Sequence, residues 1–379
     1  MESVLGACNS YLEVDLGAIA RNCQKVREHI GPDVDIIPVL KGNAYAAGLQ
    51  ELGRFMTREC GAKTIACAQT WEAQHMRQAG VDCEILVMGG VPFNNIPTVI
   101  ELDLMTPAYS AEYLRLLDTE ASVCGKRAKV HIKIETGLNR IGVHGGEELD
   151  ALCRLLKTLP NLEVVGIYTH FAESENPDRS FTLLQMERFR AALAQAEPFG
   201  FDFTYIHAFN TSSIVWMRDP CVTHIRAAGI FFGFDTCLEP VNGLGLEESL
   251  TWRAFITHVK TIEAGEALGY GRSFTATAPT KVATVSVGYG DGYSRALAAF
   301  QGAEMLVRGQ RCKVLATCMD QTFLDVTHIE DARLNDTVTL LGRDGEAFIS
   351  VFELQEKMGQ TYLATIATIQ NRVQRVYKR

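Results

Sequence analysis

The chain has 379 residues, of which 47% are hydrophobic and 21% charged, and a formal net charge of -9. That length suits two or three domains, or one large α/β barrel plus a smaller domain, and the composition is ample for a sizeable core. The acidic balance argues against a nucleic-acid or anionic-membrane surface, and no run reaches the roughly 18 apolar residues of a membrane span.

The N-terminus, MESVLGACNSYLEVD, has no basic stretch followed by an apolar run, so no signal peptide is expected there. Short β-rich runs then recur through the first 235 residues: DIIPVL (35–40), TIACA (64–68), EILVM (84–88), DLMTP (103–107), KVHIKI (129–134), VVGIYTH (164–170), FTYIHAF (203–209) and HIRAAGIFF (224–232). Segments of helical spacing, such as EELDALCRLLKTL and SFTLLQMERFRAALAQA, lie between them. Runs apolar on both faces suit parallel strands covered on both sides. Eight such units predict an α/β fold, a (β/α)8 barrel over residues 1–240.

The texture changes after residue 240. EPVNGLGLEES reads as a linker. Beyond it, LTWRAFITHVKTI, KVATVSVG, MLVRG, CKVLAT, TFLDVT and TVTLLG come at strand length without long helices between them. Residues 241–379 therefore read as a separate C-terminal β domain. SVFELQEKMG is the one clear helix there, with Ser350 as its N-cap.

The 11 cysteines are scattered and form no C-x-x-C pair. They predict neither a zinc site nor a disulfide framework, and they suit a reducing cytosol.

Chemistry in a parallel barrel gathers where the strands end. Lys41 follows the first predicted strand, Lys133 sits in the fifth with Arg140 in the loop after it, and His170 ends the sixth. His207, Asn210 and Thr211 close the seventh, and Arg226 lies in the eighth. One such residue is usually an ordinary rim group. Five of eight strands carrying Lys, Arg, His or amides at one rim point to a site. No paired acids stand out among these groups, and H-E-x-x-H spacing and G-x-x-x-x-G-K-[ST] are missing, which disfavours glycosidase, zinc hydrolase and P-loop chemistry. A lysine at a strand end in basic surroundings suits imine formation with an anionic, phosphate-bearing cofactor. In the β domain, Gly269 and Gly271 flank Tyr270, which favours an exposed, positioned phenol.

These stretches, in order, resemble the alanine racemase family. KGNAY is similar to its lysine-bearing segment. KIETGLNRIG is similar to "DTGM-x-RLG", with Glu and Leu in place of Asp and Met. YTHFAESE, HAFNTSS, LGYGRSF, GYGDGYSR and CMDQ follow in the family's order. The resemblance implies pyridoxal 5'-phosphate as cofactor and an amino-acid substrate, alanine first. It implies a cytoplasmic homodimer with shared active sites, acting in D-alanine biosynthesis. It implies that Lys41 forms the aldimine and serves as one acid/base, and that Tyr270 of a partner subunit is the other. Tyr45, Asn210, Thr211, Tyr362 and the backbone near Ala228 and Gly229 would hold the cofactor. Arg226 would face its ring nitrogen with His170 beside it. Arg140, Met319 and Tyr289 would bind substrate, and Lys133, carbamylated in some members, would support Arg140. The sequence departs from the family at Ala46-Ala47 (usually Gly-His), Ala228 (usually Gly), Phe232 (usually Tyr) and Leu363, where a phosphate-binding tyrosine is expected and Tyr362 is one position off. A serine or broad-specificity racemase, and a non-catalytic cofactor-binding protein, are the alternatives.

Overall fold

The computed structural model describes residues 8–234, 244–299 and 302–379. The chain divides into two compact units. One comprises residues 19–44 and 49–247, the other residues 1–18, 45–48 and 248–379. The boundary expected between residues 240 and 241 lies outside the described residues.

The first unit is the eight-stranded parallel barrel. Counting Ser10–Asp15 as β1, its strands are β2 (Asp35–Pro38), β3 (Thr64–Cys67), β4 (Glu84–Val87), β5 (Leu104–Ala108), β6 (Ala128–Lys133), β7 (Leu162–Tyr168), β8 (Tyr205–His207) and β9 (His224–Ala227). Strands β3 to β8 pair in sequence order, and β2 pairs with β9. The Leu40 N–H donates to the Ala66 carbonyl (2.8 Å) and the Arg226 N–H to the Phe209 carbonyl (3.0 Å), which joins the two groups into a ring. Every expected strand forms. The eighth is shorter than predicted, because Gly229–Phe232 is a single 3-10 turn.

Period-two alternation explains what fills this barrel. In β6, Lys129, His131 and Lys133 share a face. Lys129 pairs with Glu84 (2.6 Å), while His131 and Lys133 are buried. Gly166 of β7 makes room for the histidine, since a Cβ there would lie 2.6 Å from His131 Nδ1. Exchanging this glycine for alanine would force the ring to move.

The second unit is an antiparallel sheet, built from β10 (Leu250–Ile262), the short hairpin β11 and β12 (Ala267–Leu268, Phe274–Thr275), β13 (Thr280–Val285), β14 (Glu304–Val307), β15 (Gln310–Thr317), β16 (Thr322–Asp325), β17 (Thr337–Asp344), β18 (Ala347–Ile349) and β19 (Gln374–Lys378). Its order, the short hairpin aside, is β18-β17-β14-β15-β16-β13-β10-β1-β19, with β17 also pairing to β10. The sequence reading left β1 unassigned. That strand runs antiparallel to β10 and parallel to β19, so the N-terminus contributes to the β unit. The helix Val351–Met358 forms as expected, with Ser350 Oγ accepting from the Glu353 N–H (3.0 Å). Short helices at Arg295–Ala299 and Tyr362–Ala367 join it. No helix among the described residues is long and apolar enough to cross a membrane.

Candidate active site

Lys41 stands just beyond β2, and the backbone behind it turns left-handed. Gly42, Asn43 and Ala44 have φ of 62°, 54° and 52°, and Tyr45 and Ala46 continue at 53° and 66°. L-residues rarely stay in this region, at a cost of roughly 1–2 kcal/mol each. Glycine enters it freely and asparagine tolerates it. Two side chains hold the turn: Glu72 Oε1 accepts from the Gly42 N–H (2.6 Å), and Asn43 Oδ1 accepts from the Leu49 N–H (2.9 Å). In the other unit, Arg375 Nε donates to the Ala46 carbonyl (2.7 Å) and the Tyr377 hydroxyl to the Ala47 carbonyl (3.1 Å). Such strain, held in place by its surroundings, is characteristic of functional segments.

Burial lowers the Lys41 amine below the usual lysine range. Arg140 and Arg226 add to this, and Glu72 opposes it. Burial, with Arg226, brings Lys133 down to about 7. The Lys133 side chain lies over the Tyr168 ring and donates to the Ile134 carbonyl (2.8 Å). Arg140 is exposed on the loop after β6, which Glu135 shapes by accepting from the Gly137 N–H (2.6 Å) and the Arg140 N–H (3.3 Å).

Arg226 is 3% exposed and organises the floor of the site. Its NH1 donates to His207 Nδ1 (2.7 Å) and the His207 carbonyl. Its NH2 donates to the Thr169 carbonyl (2.7 Å), to His170 Nδ1 (3.0 Å) and to the Ala208 carbonyl. Tyr168 stacks on His207 with centroids 4.7 Å apart. A guanidinium only donates, so Nδ1 of both His170 and His207 must accept. The His207 proton therefore sits on Nε2 and faces His131 Nδ1 (3.0 Å), and the His131 Nε2–H faces the Met105 sulfur (3.3 Å). The chain Arg226–His207–His131–Met105 thus has one direction of donation, with both imidazoles neutral. The sequence reading missed His131, although its place two residues before Lys133 in an alternating strand was the available signal.

Burial, reinforced by Arg226, lowers all three ring pKa values from the ordinary 6.5, to about 3 for His131 and well below it for His170 and His207. The sign of the pH effect follows. Below about pH 6.5 the unfolded chain binds protons that the folded one refuses, so stability falls as pH falls. Thermal unfolding should lose stability from about pH 6.5 to 5, above the range where most carboxylates titrate, by up to ~1.4 kcal/mol per pH unit for each histidine. His131→Gln should flatten that slope by about one proton. A melting temperature constant across the window would show that these rings accept charge in place.

Of the groups expected around a phosphate, Thr211, Ala228 and Gly229 lie on two adjacent segments. Thr211 Oγ1 accepts from the Ala228 N–H (3.1 Å). The Gly229 N–H, opening its turn, has no partner among the described residues. Asn210 caps the helix Thr211–Trp216: its side-chain oxygen accepts from the Ser213 N–H (3.2 Å) and the Ser174 hydroxyl (2.6 Å).

The remaining expected residues belong to the β unit. Tyr270 is 80% exposed, between Gly269 (φ 78°) and Gly271 (φ 67°), and its hydroxyl has no hydrogen-bond partner among the described residues. The Tyr289 N–H donates to the Cys318 carbonyl (3.1 Å) and the Gly290 N–H to the Met319 carbonyl (2.8 Å), which sets Tyr289 beside half-exposed Met319. The Tyr362 ring packs against Phe352 at 5.6 Å.

Residues 14–235 match the family profile "Alanine racemase, N-terminal domain", and residues 249–377 match "Alanine racemase, C-terminal domain". The chain belongs to the alanine racemase family. It is 32% identical to the alanine racemase of Methanococcus maripaludis, covering 97% of this chain and 98% of that one. It is 34% identical to that of Clostridium perfringens, covering 97% and 95%. The crystal structure of the alanine racemase from Bacillus anthracis with bound L-Ala-P superposes with a TM-score of 0.92 at 30% identity, over 98% of this chain and 95% of the other.

The alanine racemase family is pyridoxal phosphate-dependent. The residues present fit that group. Arg226 Nε–H is the one guanidinium donor of this buried side chain left without a protein partner among the described residues. It suits a ring nitrogen that accepts. The Thr211 hydroxyl and the Gly229 N–H suit phosphate oxygens, and Lys41 offers an amine whose pKa is already lowered.

Proposed function

We propose that this protein interconverts L- and D-alanine, with Lys41 and Tyr270 as the two bases on opposite faces of the α-carbon. The observation that carries the reading is the Arg226 Nε–H left without a protein partner among the described residues, in a barrel that also presents a lysine whose pKa burial lowers. When bound, pyridoxal phosphate supplies an electron sink for the pair left on the substrate α-carbon. Lys41 takes or returns the α-proton at its Nζ, and Tyr270 does so at its phenol oxygen. Burial lowers Arg226 to about 10, so it remains a cation at neutral pH. It gives a hydrogen bond to the ring nitrogen but no proton, which restrains side reactions such as transamination. Its hydrogen-bonded histidines leave it no freedom to turn away.

His170 flanks Arg226, and Thr211, Ala228 and Gly229 hold the phosphate together with Tyr45. Arg140 takes the substrate carboxylate, and the family resemblance names the Met319 backbone and Tyr289 as further substrate contacts. Lys133 supports Arg140 in the carbamylated form that the family resemblance implies, since as a free cation it would only repel that guanidinium. The assembly proposed is a cytoplasmic homodimer in which Tyr270 enters the partner's site. An exposed phenol with no hydrogen bond of its own supports that reading. A role in supplying D-alanine follows from the activity.

The direct test is a panel of L-amino acids assayed for the D-enantiomer. Alanine should give the highest kcat/KM, by about tenfold or more over serine, whose extra hydroxyl needs a partner or pays to be desolvated. Comparable rates for serine would move the assignment to a broad-specificity racemase, and no turnover of any amino acid would leave a cofactor-binding protein.

A further inference from the structure

We infer that Glu72 is a positioning residue for Lys41: one oxygen of its buried carboxylate grips the Gly42 amide and fixes the left-handed turn behind the lysine. Glu72 is 2% exposed, in the first turn of the helix Thr70–Gln78. Its Oε2 accepts from the Ala68 N–H (2.8 Å) and the Gln69 N–H (3.1 Å), which is ordinary capping. Capping uses one oxygen. The other, Oε1, reaches back across the sequence to the Gly42 N–H at 2.6 Å.

This contact has two consequences. The first is mechanical. Gly42 begins a run of left-handed residues that the chain does not hold by preference. A charge-assisted bond at its first amide is about twice as strong as a neutral one. It staples the segment after β2 to the loop after β3, so Lys41 projects from a fixed base.

The second is electrostatic. Arg140 and Arg226 act on Lys41 as like charges and His170 lies within their field, while Glu72 is the opposite charge acting on it. The carboxylate therefore tempers what burial and the arginines do, and keeps the amine between a proton donor and a proton acceptor. The inference rests on Lys41 being the reactive amine. Its test reads Lys41 itself and needs no racemisation, so failure of the racemase assignment would leave it standing.

The experiment compares Glu72→Gln and Glu72→Asp with the parent full-length chain, folding being checked by circular dichroism. Amide exchange read by mass spectrometry reports the turn. Reductive methylation of Lys41 in cofactor-freed protein, followed against pH, reports the amine. In Glu72→Gln the methylation curve should move to lower pH, with a roughly three- to tenfold faster rate below the midpoint, and exchange at Gly42 should quicken by about tenfold. Glu72→Asp keeps the charge but loses reach, so exchange should quicken while the methylation curve stays. If a folded Glu72→Gln leaves both the curve and the Gly42 exchange unchanged, Glu72 is a helix cap and nothing more. Should Glu72→Gln fail to fold, parental exchange at Gly42 in Glu72→Asp overturns the inference instead.

Discussion

Lys41→Ala should lose racemisation by at least ~10³-fold and should no longer carry covalently trapped cofactor after borohydride reduction. The expectation is not trivial, because the barrel holds two lysines whose pKa values burial has lowered. Lys133 is the more deeply buried, and its pKa falls to about 7. Its amine, however, is engaged with the Ile134 carbonyl and lies over the Tyr168 ring at 5.2 Å. Lys41 is only half-buried and projects from a turn held by its own set of hydrogen bonds. An imine-forming lysine must reach the ligand's carbonyl carbon and then swing to a proton, which favours the accessible group. Peptide mapping of the reduced protein should place the adduct on Lys41. An adduct on Lys133, or one that survives in Lys41→Ala, would transfer the role to the other lysine.

Mixing two dead variants should revive activity. If each site takes Lys41 from one chain and Tyr270 from the other, then Lys41→Ala alone should show the loss given above and Tyr270→Phe alone should fall by roughly 10²-fold or more. Unfolding the two together and refolding them makes about half the dimers mixed. One site of a mixed dimer carries both lesions and the other carries none. About a quarter of the parental activity should therefore return. The structural reason lies in the β unit, where Tyr270 is 80% exposed on a glycine-flanked turn. A buried tyrosine would need a hydrogen bond within its own chain; an exposed one is free to meet a partner's barrel. Subunit exchange confirmed by mass tags, with no recovered activity, would place both bases in one chain.

The order of elements was legible in the sequence because it rests on local signals. Apolar runs at strand length, helical spacing between them and a shift in texture after residue 240 are each readable over a few neighbours. The line of motifs from KGNAY to CMDQ was legible for the same reason, and it pointed to the family that the comparisons confirm. β1 was not legible. Ser10–Asp15 has no strand partner nearby in the chain: β10 and β19, which pair with it, lie far along the sequence.

Tertiary structure alone decided the connections among the polar residues. Sequence placed Arg226 in the last predicted strand of the barrel, but only the closed ring of strands sets it against His170 and His207 and leaves its Nε–H over. Alternation put His131 on the same face as Lys133, yet the direction of its hydrogen bonds follows, through His207 of β8, from the guanidinium of Arg226 on β9, which cannot accept. Glu72 read locally is a cap, and its second oxygen finds Gly42 only because β2 and β3 lie side by side. The physical reason is common to all three. Periodicity and propensity act between neighbours in sequence, whereas burial, pKa and hydrogen-bond direction depend on which groups meet once water is excluded.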